Sequence, residues 1–304
     1  MNLKQLEAFV RVAEFGSFSK AAMVLRVAQP ALSRQVRALE AELHETLLLR
    51  NGRGAQLTEA GRRLFEHSVS ILQLVSRARE DIEAQRGQPS GRIVIGLPPS
   101  IARQLTMPLI EAFKRQLPRA RLAIVEGLSA HLAEWIASGR VDIGLMHNPQ
   151  PQASIETTPI LEEDLCLVTP VAKGRRTQRA LTPVHTSDLA QYRLIVPERS
   201  HVIRNLLETQ AALAGIKLDI AWEVSSIPSI IDLVGAGYGH AVLTASAVAA
   251  SGRAAELQAR PLIEPKLKST LCLAVSANKR PSTLTKHALR LLPELVLKVA
   301  GQTG

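Results

Sequence analysis

Cysteine is nearly absent: the 304 residues hold two, Cys166 and Cys272. Two cysteines build no disulfide framework, and both lie inside apolar, strand-like runs, LCLVTP and LCLAVS. They are expected as buried thiols in a reducing cytoplasm rather than as a redox pair. No apolar run approaches the roughly 20 residues of a membrane helix. The start, MNLKQLEAFV, is charged and amphipathic, so no signal peptide is expected there. Catalytic signatures are missing as well. There is no His-Glu-x-x-His, no Gly-x-x-x-x-Gly-Lys and no Gly-x-Ser-x-Gly, and the eight histidines have no metal-ligand spacing. GAGYGH at 235–240 fails as a dinucleotide loop, because His240 takes the third glycine position and the run ends a helix instead of following a strand. No enzymatic role, cofactor or metal is expected. Repeats and low-complexity tracts are absent too.

Acidic residues are in the minority, 27 against 37 Lys and Arg, a formal charge of +10. Residues 1–63 hold 10 of the basic residues against 6 acidic ones, a denser positive charge than in the remainder. That is a mild pointer to nucleic acid. The apolar positions 3, 6, 9, 10 and 13 recur at helical spacing up to Gly16, and Ser17 can cap a second helix through Leu25. After a short break a third helix runs from about Gln29 to Leu43. Its apolar stripe is Leu32, Val36, Leu39 and Leu43; its polar face is Gln29, Ser33, Arg34 and Arg37. Three short helices with so tight a final link outline a helix-turn-helix. Asn51-Gly52, between the short strands 47–50 and 55–57, makes a wing. Arg can bond guanine twice, Gln can bond adenine and Ser suits a phosphate or a base edge. Gln29, Ser33, Arg34 and Arg37 are therefore the candidate DNA contacts, with Pro30 in the first turn and Arg50 and Arg53 on the wing. A single arginine on a helix is usually just solvated; the ordered set favours DNA.

Thr58 can cap a long helix to about Arg86. Leu64, Ser68, Ile71, Val75, Ala78 and Ile82 alternate by four and three, a coiled-coil seam with one polar position. With little else to pack on, the helix is expected to pair with a second copy. GQPSG at 87–91 reads as a linker. Beyond it, short β-branched runs alternate with helical segments near 101–117, 128–138, 201–214 and 227–236. This is α/β architecture. The strands near 155–170 and 258–276 have no helix between them, so a mixed sheet is expected.

Four strands lead into helix starts carrying Ser or His: LPPS, EGLS, PERSH and VSSIP. Helix N-termini attract small anions, and open α/β sheets gather such ends at one crevice. Ser100, Ser129, His201 and Ser226 are the candidate contacts of a ligand cleft, with His147 as a further one and Ile203 and Pro228 as wall. Taken singly, each serine is more simply a helix cap, and a lone histidine is more often structural.

Residues 15–61, FGSFSKAAMVLRVAQPALSRQVRALEAELHETLLLRNGRGAQLTEAG, resemble the LysR-type transcriptional regulators, and EDLCLVTP and GAGYGHAVL look like that family's effector-domain segments. The chain is similar in particular to nitrogen-control members. The resemblance implies a winged helix-turn-helix over 1–58, a dimerising linker helix over 59–88 and an effector-binding region over 92–304. The last would hold two α/β subdomains like type 2 periplasmic binding proteins, about 92–165 with 268–304, and about 166–267. It further implies homodimers or homotetramers on an inverted-repeat operator in double-stranded DNA, and a small effector, here expected to be anionic. One departure stands out. Ala28 precedes Gln29-Pro30 where the family usually has Ser or Thr, a loss of about 1 kcal/mol of capping and of one phosphate contact. Two further readings stay open: a constitutive regulator whose cleft is structural, and a solute-binding protein or enzyme on the same α/β fold.

Overall fold

The computed structural model describes residues 1–51, 54–84, 89–171 and 182–302. They form two compact units, one built from the first four helices and the wing, the other from the strands and helices that follow.

In the first unit, α1 (Leu3–Phe15) opens with a reciprocal capping box between Asn2 and Gln5 and ends at Gly16 in the left-handed region. α2 (Phe18–Leu25) is capped by the Ser17 hydroxyl. Arg26, with φ 55°, closes α2 by donating its N–H to Ala22 and Met23. Three residues later α3 (Gln29–Leu43) begins, capped by Ala28 without any side-chain bond. The core is Leu6, Phe9 and Val10 from α1, Ala21 and Ala22 from α2, and Leu32, Val36 and Leu39 from α3.

The wing is the antiparallel pair β1 (Leu48–Asn51) and β2 (Gly54–Leu57), with Leu48 opposite Leu57. Glu40 ties it to α3, its Oε1 accepting from the backbone N–H of Leu47 at 2.9 Å and Leu48 at 3.1 Å. Thr58 then caps α4 (Glu59–Ala84), its Oγ1 accepting from Gly61 N–H at 2.9 Å. At 26 residues α4 extends roughly 39 Å. Gly61 lets its first turn press on the wing: a Cβ there would stand 2.1 Å from the Leu47 carbonyl oxygen. Gly61→Ala should therefore cost about 2 kcal/mol through overpacking against rigid backbone. Urea unfolding of the full chain checks this, and an unchanged midpoint would contradict the close approach.

The expectation that α4 finds little to pack on in its own chain is corrected here. Leu64, Phe65, Val69, Ile71 and Leu72 lie against the winged core, and Ser68 is fully buried. Three of the six seam positions thus serve the helix's own chain. The side chain of Ile82 lies outside the described residues.

The second unit begins with β3 (Gly91–Leu97), α5 (Pro99–Gln116), β4 (Ala120–Glu126), α6 (Ser129–Ser138) and β5 (Ile143–His147). β3 pairs in parallel with both β4 and β5, as strand-helix-strand alternation requires. β6 (Ile155–Pro170) follows, then β7 (Val184–His185), a 3₁₀ turn, β8 (Arg193–Val196), α7 (Val202–Ala214), β9 (Asp219–Glu223), α8 (Ile227–Gly235), β10 (Ala241–Thr244) and the short α9 (Ala245–Ala249). β11 (Leu257–Ile263), β12 (Lys268–Ser276) and α10 (Thr283–Gln302) complete it. The mixed sheet runs β4-β3-β5-β12-β6-β11-β7, with β10 also on β6, while β8 and β9 pair separately and in parallel.

β6 is shared between two cores. Its residues 155–164 pair with β12, whereas Leu165 onward pairs with β10 and β11. Ile95, Leu105, Leu109, Phe113, Ile143, Leu145, Leu271 and Leu292 fill one core; Leu167, Leu194, Ile195, Leu207, Ile230, Val234 and Leu243 fill the other. The chain passes between them twice, at Asp164–Leu165 and at Leu267–Lys268. Cys166 and Cys272 are buried on β6 and β12, and burial pushes the Cys166 thiol up to about 11. Both remain thiols at neutral pH. The GAGYGH run does end a helix: α8 stops at Gly235, Gly237 takes φ 84°, and His240 leads into β10.

Candidate functional sites

On α3 the exposed residues include Gln29, Pro30, Arg34 and Arg37. Ser33 is not among them. It is 5% exposed at the edge of the buried stripe and accepts a bond from Arg37 Nη2 at 3.3 Å. The Arg34 guanidinium, by contrast, has no partner among the described residues. Gln35 and Ala38 also face outward, although neither was among the sequence candidates for DNA contact. Arg50 lies on β1, its side chain outside the described residues, as is all of Arg53.

A cavity of about 470 Å³ lies in the second unit, and Ser100, Ser129, His147, His201, Ile203, Ser226 and Pro228 all line it. The topology explains the convergence. α5 and α6 start where β3 and β4 end, and α7 and α8 start where β8 and β9 end, so four helix N-termini open onto one space. Arg103 and Glu126 supply the ionised side chains of its lining, and both are exposed.

The polar groups differ in what they already do. His201 caps α7, its Nδ1 accepting from Ile203 N–H at 3.2 Å, and the Ser226 hydroxyl caps α8 by accepting from Ser229 N–H at 3.4 Å. Ser129 does not cap α6. Its hydroxyl accepts from His147 N–H at 3.1 Å and lies 3.2 Å from the His147 carbonyl oxygen. Ser100 is the second residue of α5, whose cap is Pro98, and its hydroxyl has no partner among the described residues. Burial, with a smaller contribution from His201, lowers His147 to about 4; burial also lowers His201. Both imidazoles are therefore neutral at pH 7, and the cavity offers hydroxyls, N–H groups and apolar walls. Ser200, Ser225, Thr244 and Ser269 complete the polar lining without having been singled out in the sequence.

Residues 3–62 match the family model described as bacterial regulatory helix-turn-helix protein, lysR family, and residues 86–296 match LysR substrate binding domain. The chain belongs to the LysR family of transcription regulators. Among curated LysR relatives, the nitrogen assimilation regulatory protein nac of Klebsiella aerogenes is 31% identical, over 97% of this chain and 95% of its own length. The HTH-type transcriptional regulator BbuR of Bordetella bronchiseptica is also 31% identical, over 96% of this chain and 87% of its own. In fold, this LysR-type regulator is similar to full-length OxyR from Pseudomonas aeruginosa, with a TM-score of 0.73 at 24% identity over 97% and 94% of the two chains. Full-length CbnR complexed with its target DNA gives 0.68 at 23% identity over the whole of both chains. No described helix is long and apolar enough to cross a membrane.

Proposed function

We propose that this LysR-type regulator binds a small organic anion, a carboxylate or sulfonate, in the cavity of its second unit. The observation that carries this reading is the meeting of four helix N-termini around hydroxyls and neutral imidazoles. Free N–H groups and positive dipole ends favour negative charge. The apolar wall of Pro98, Pro99, Val202, Ile203, Ile227 and Pro228 suits a carbon body behind the charged group. The protein acts in the cytoplasm without catalysis of its own, and α3 enters the major groove of an inverted-repeat operator with Gln29, Pro30, Arg34 and Arg37 towards the DNA. A panel of small carboxylates and sulfonates, tested by thermal shift on the full chain, examines the anion reading. Stabilisation by neutral isosteres alone would overturn it, and a silent panel would favour a constitutive regulator.

Self-association belongs to the same proposal. With Leu64 and Ile71 used internally, the part of α4 left for a second copy is the face carrying Leu74, 55% exposed, and the exposed Ala78. Leu74→Asp should weaken dimerisation about tenfold without disturbing the fold, since Leu74 has no place in the winged core. Sedimentation at graded concentrations reads this directly, and wild-type association in the variant would move the interface elsewhere.

A further inference from the structure

His147 ends β5, and its surroundings fix it to an unusual degree. Ser129 engages both its backbone N–H and its carbonyl oxygen. The next residue, Asn148, adopts φ 40° and reaches across to β12: its Oδ1 accepts from Thr270 N–H at 2.6 Å and its Nδ2 donates to the Lys268 carbonyl oxygen at 3.4 Å. Between those two anchor points sits Ser269, 3% exposed, with its Oγ 3.0 Å from His147 Nδ1. The ring and the hydroxyl are thus held together from both strands.

Hydrogen-bond accounting decides which of the two donates. If Nδ1–H donated to Oγ, the buried Ser269 hydroxyl hydrogen would have no acceptor among the described residues, a costly arrangement. If the hydroxyl donates to Nδ1 instead, the hydroxyl hydrogen and Nδ1 are both paired and the ring's proton sits on Nε2. Nε2 is also the ring nitrogen with no protein partner among the described residues, on a side chain that lines the cavity.

We propose that Ser269 holds His147 in the Nε2–H tautomer, making His147 a specificity-determining donor to an acceptor atom of the bound ligand. Ser269 is then a positioning residue, acting through the ring. The donor role rests on the anion reading above; the tautomer does not. The charged or titratable groups that share the cavity lining with His147 are His201 from the start of α7, Arg103 from α5 and Glu126 from the end of β4. Beside Ser269, Lys268 is paired with Glu162. With no carboxylate bonded to it among the described residues, the imidazole stays neutral and presents one N–H to the ligand. An anion bound there would raise the pKa of His147 above its free value of about 4, so binding takes up protons and should strengthen as pH falls from 7 towards 5.

The test uses the full chain labelled with ¹⁵N-histidine, with the His147 signals identified by their loss in His147→Gln. Long-range ¹H–¹⁵N spectra at pH 7 should show Nε2 protonated and Nδ1 bare. Ser269→Ala should mix the tautomers, and Ser269→Thr, which keeps the hydroxyl, should restore the Nε2–H form. An Nδ1–H tautomer in the wild type, or an unchanged tautomer ratio in Ser269→Ala, overturns the assignment. For the donor role the probe is cyclohexanecarboxylate, followed by calorimetry. His147→Leu should weaken it about tenfold and flatten the pH profile, whereas His147→Gln keeps an N–H donor and most of the affinity at pH 7. Equal affinities for wild type and His147→Leu overturn the donor role. Should the probe fail to bind the wild type while sulfonates in the panel succeed, only the carboxylate-donor role falls. If no anion binds, the anion reading falls with it, and the spectra still judge the tautomer.

Discussion

Arg34→Ala is expected to weaken operator binding by about 1–3 kcal/mol and to leave binding to random DNA nearly unchanged, as the loss of a bidentate base contact would. Arg34 is exposed on α3, and its guanidinium is committed to no group among the described residues, so its planar fork is free to match a guanine edge. Arg37, one turn on, is held by the Ser33 hydroxyl. That tether gives it a fixed direction, better suited to a phosphate, and Arg37→Ala should weaken both DNAs alike and reduce the salt dependence by about one ion. Titrations on operator and random DNA at several salt concentrations separate the two. Equal losses on both DNAs for Arg34→Ala would make it a phosphate contact, and the specificity of α3 would then rest on Gln29 and its neighbours.

The contrast between these arginines marks where the sequence was legible. The helices, the wing and the buried stripe of α3 were readable because each is a local pattern of period 3.6 or 2. Ser33 was placed on the polar face by the same pattern, though it is only 5% exposed. It falls one turn after Gln29 and so shares the polar face by count, yet it stands between Leu32 and Val36, where a small side chain slips under the edge of the core. The seam on α4 was real as a periodicity but silent about ownership, since an apolar stripe does not say whether its own chain or a second copy covers it. α10 carries helical spacing at Leu284, Ala288, Leu291 and Leu292, but it follows the strand β12 and is hard to see in the sequence. In the cavity, the strand-end serines and His201 were legible because caps and turn signals are local. Ser269 was not. Its meaning depends on the register that sets β12 against β5 and brings it to a histidine 122 residues away in the chain.

Ser100→Val should abolish the response to any effector in the cavity while leaving ligand-free DNA binding and stability close to wild type. Ser100 lies in the first turn of α5, but the helix is capped at Pro98 and the hydroxyl bonds to nothing else among the described residues, so its removal breaks no helix cap. Serine and valine also differ little in helix propensity. The changes fall on the cavity: a donor-acceptor group is lost from the lining that also holds His147 and Ser129, and methyl groups enter the space a ligand's charged group would take. A ligand shifts regulation only through its difference in affinity between two conformations, so a variant that cannot hold it cannot respond. Thermal shift against the anion panel, run beside operator titrations with and without the best binder, gives both halves of the result. Stabilisation that survives in Ser100→Val would place the ligand away from this end of the cavity. A fall in ligand-free operator binding would instead mean that Ser100 supports the resting conformation itself.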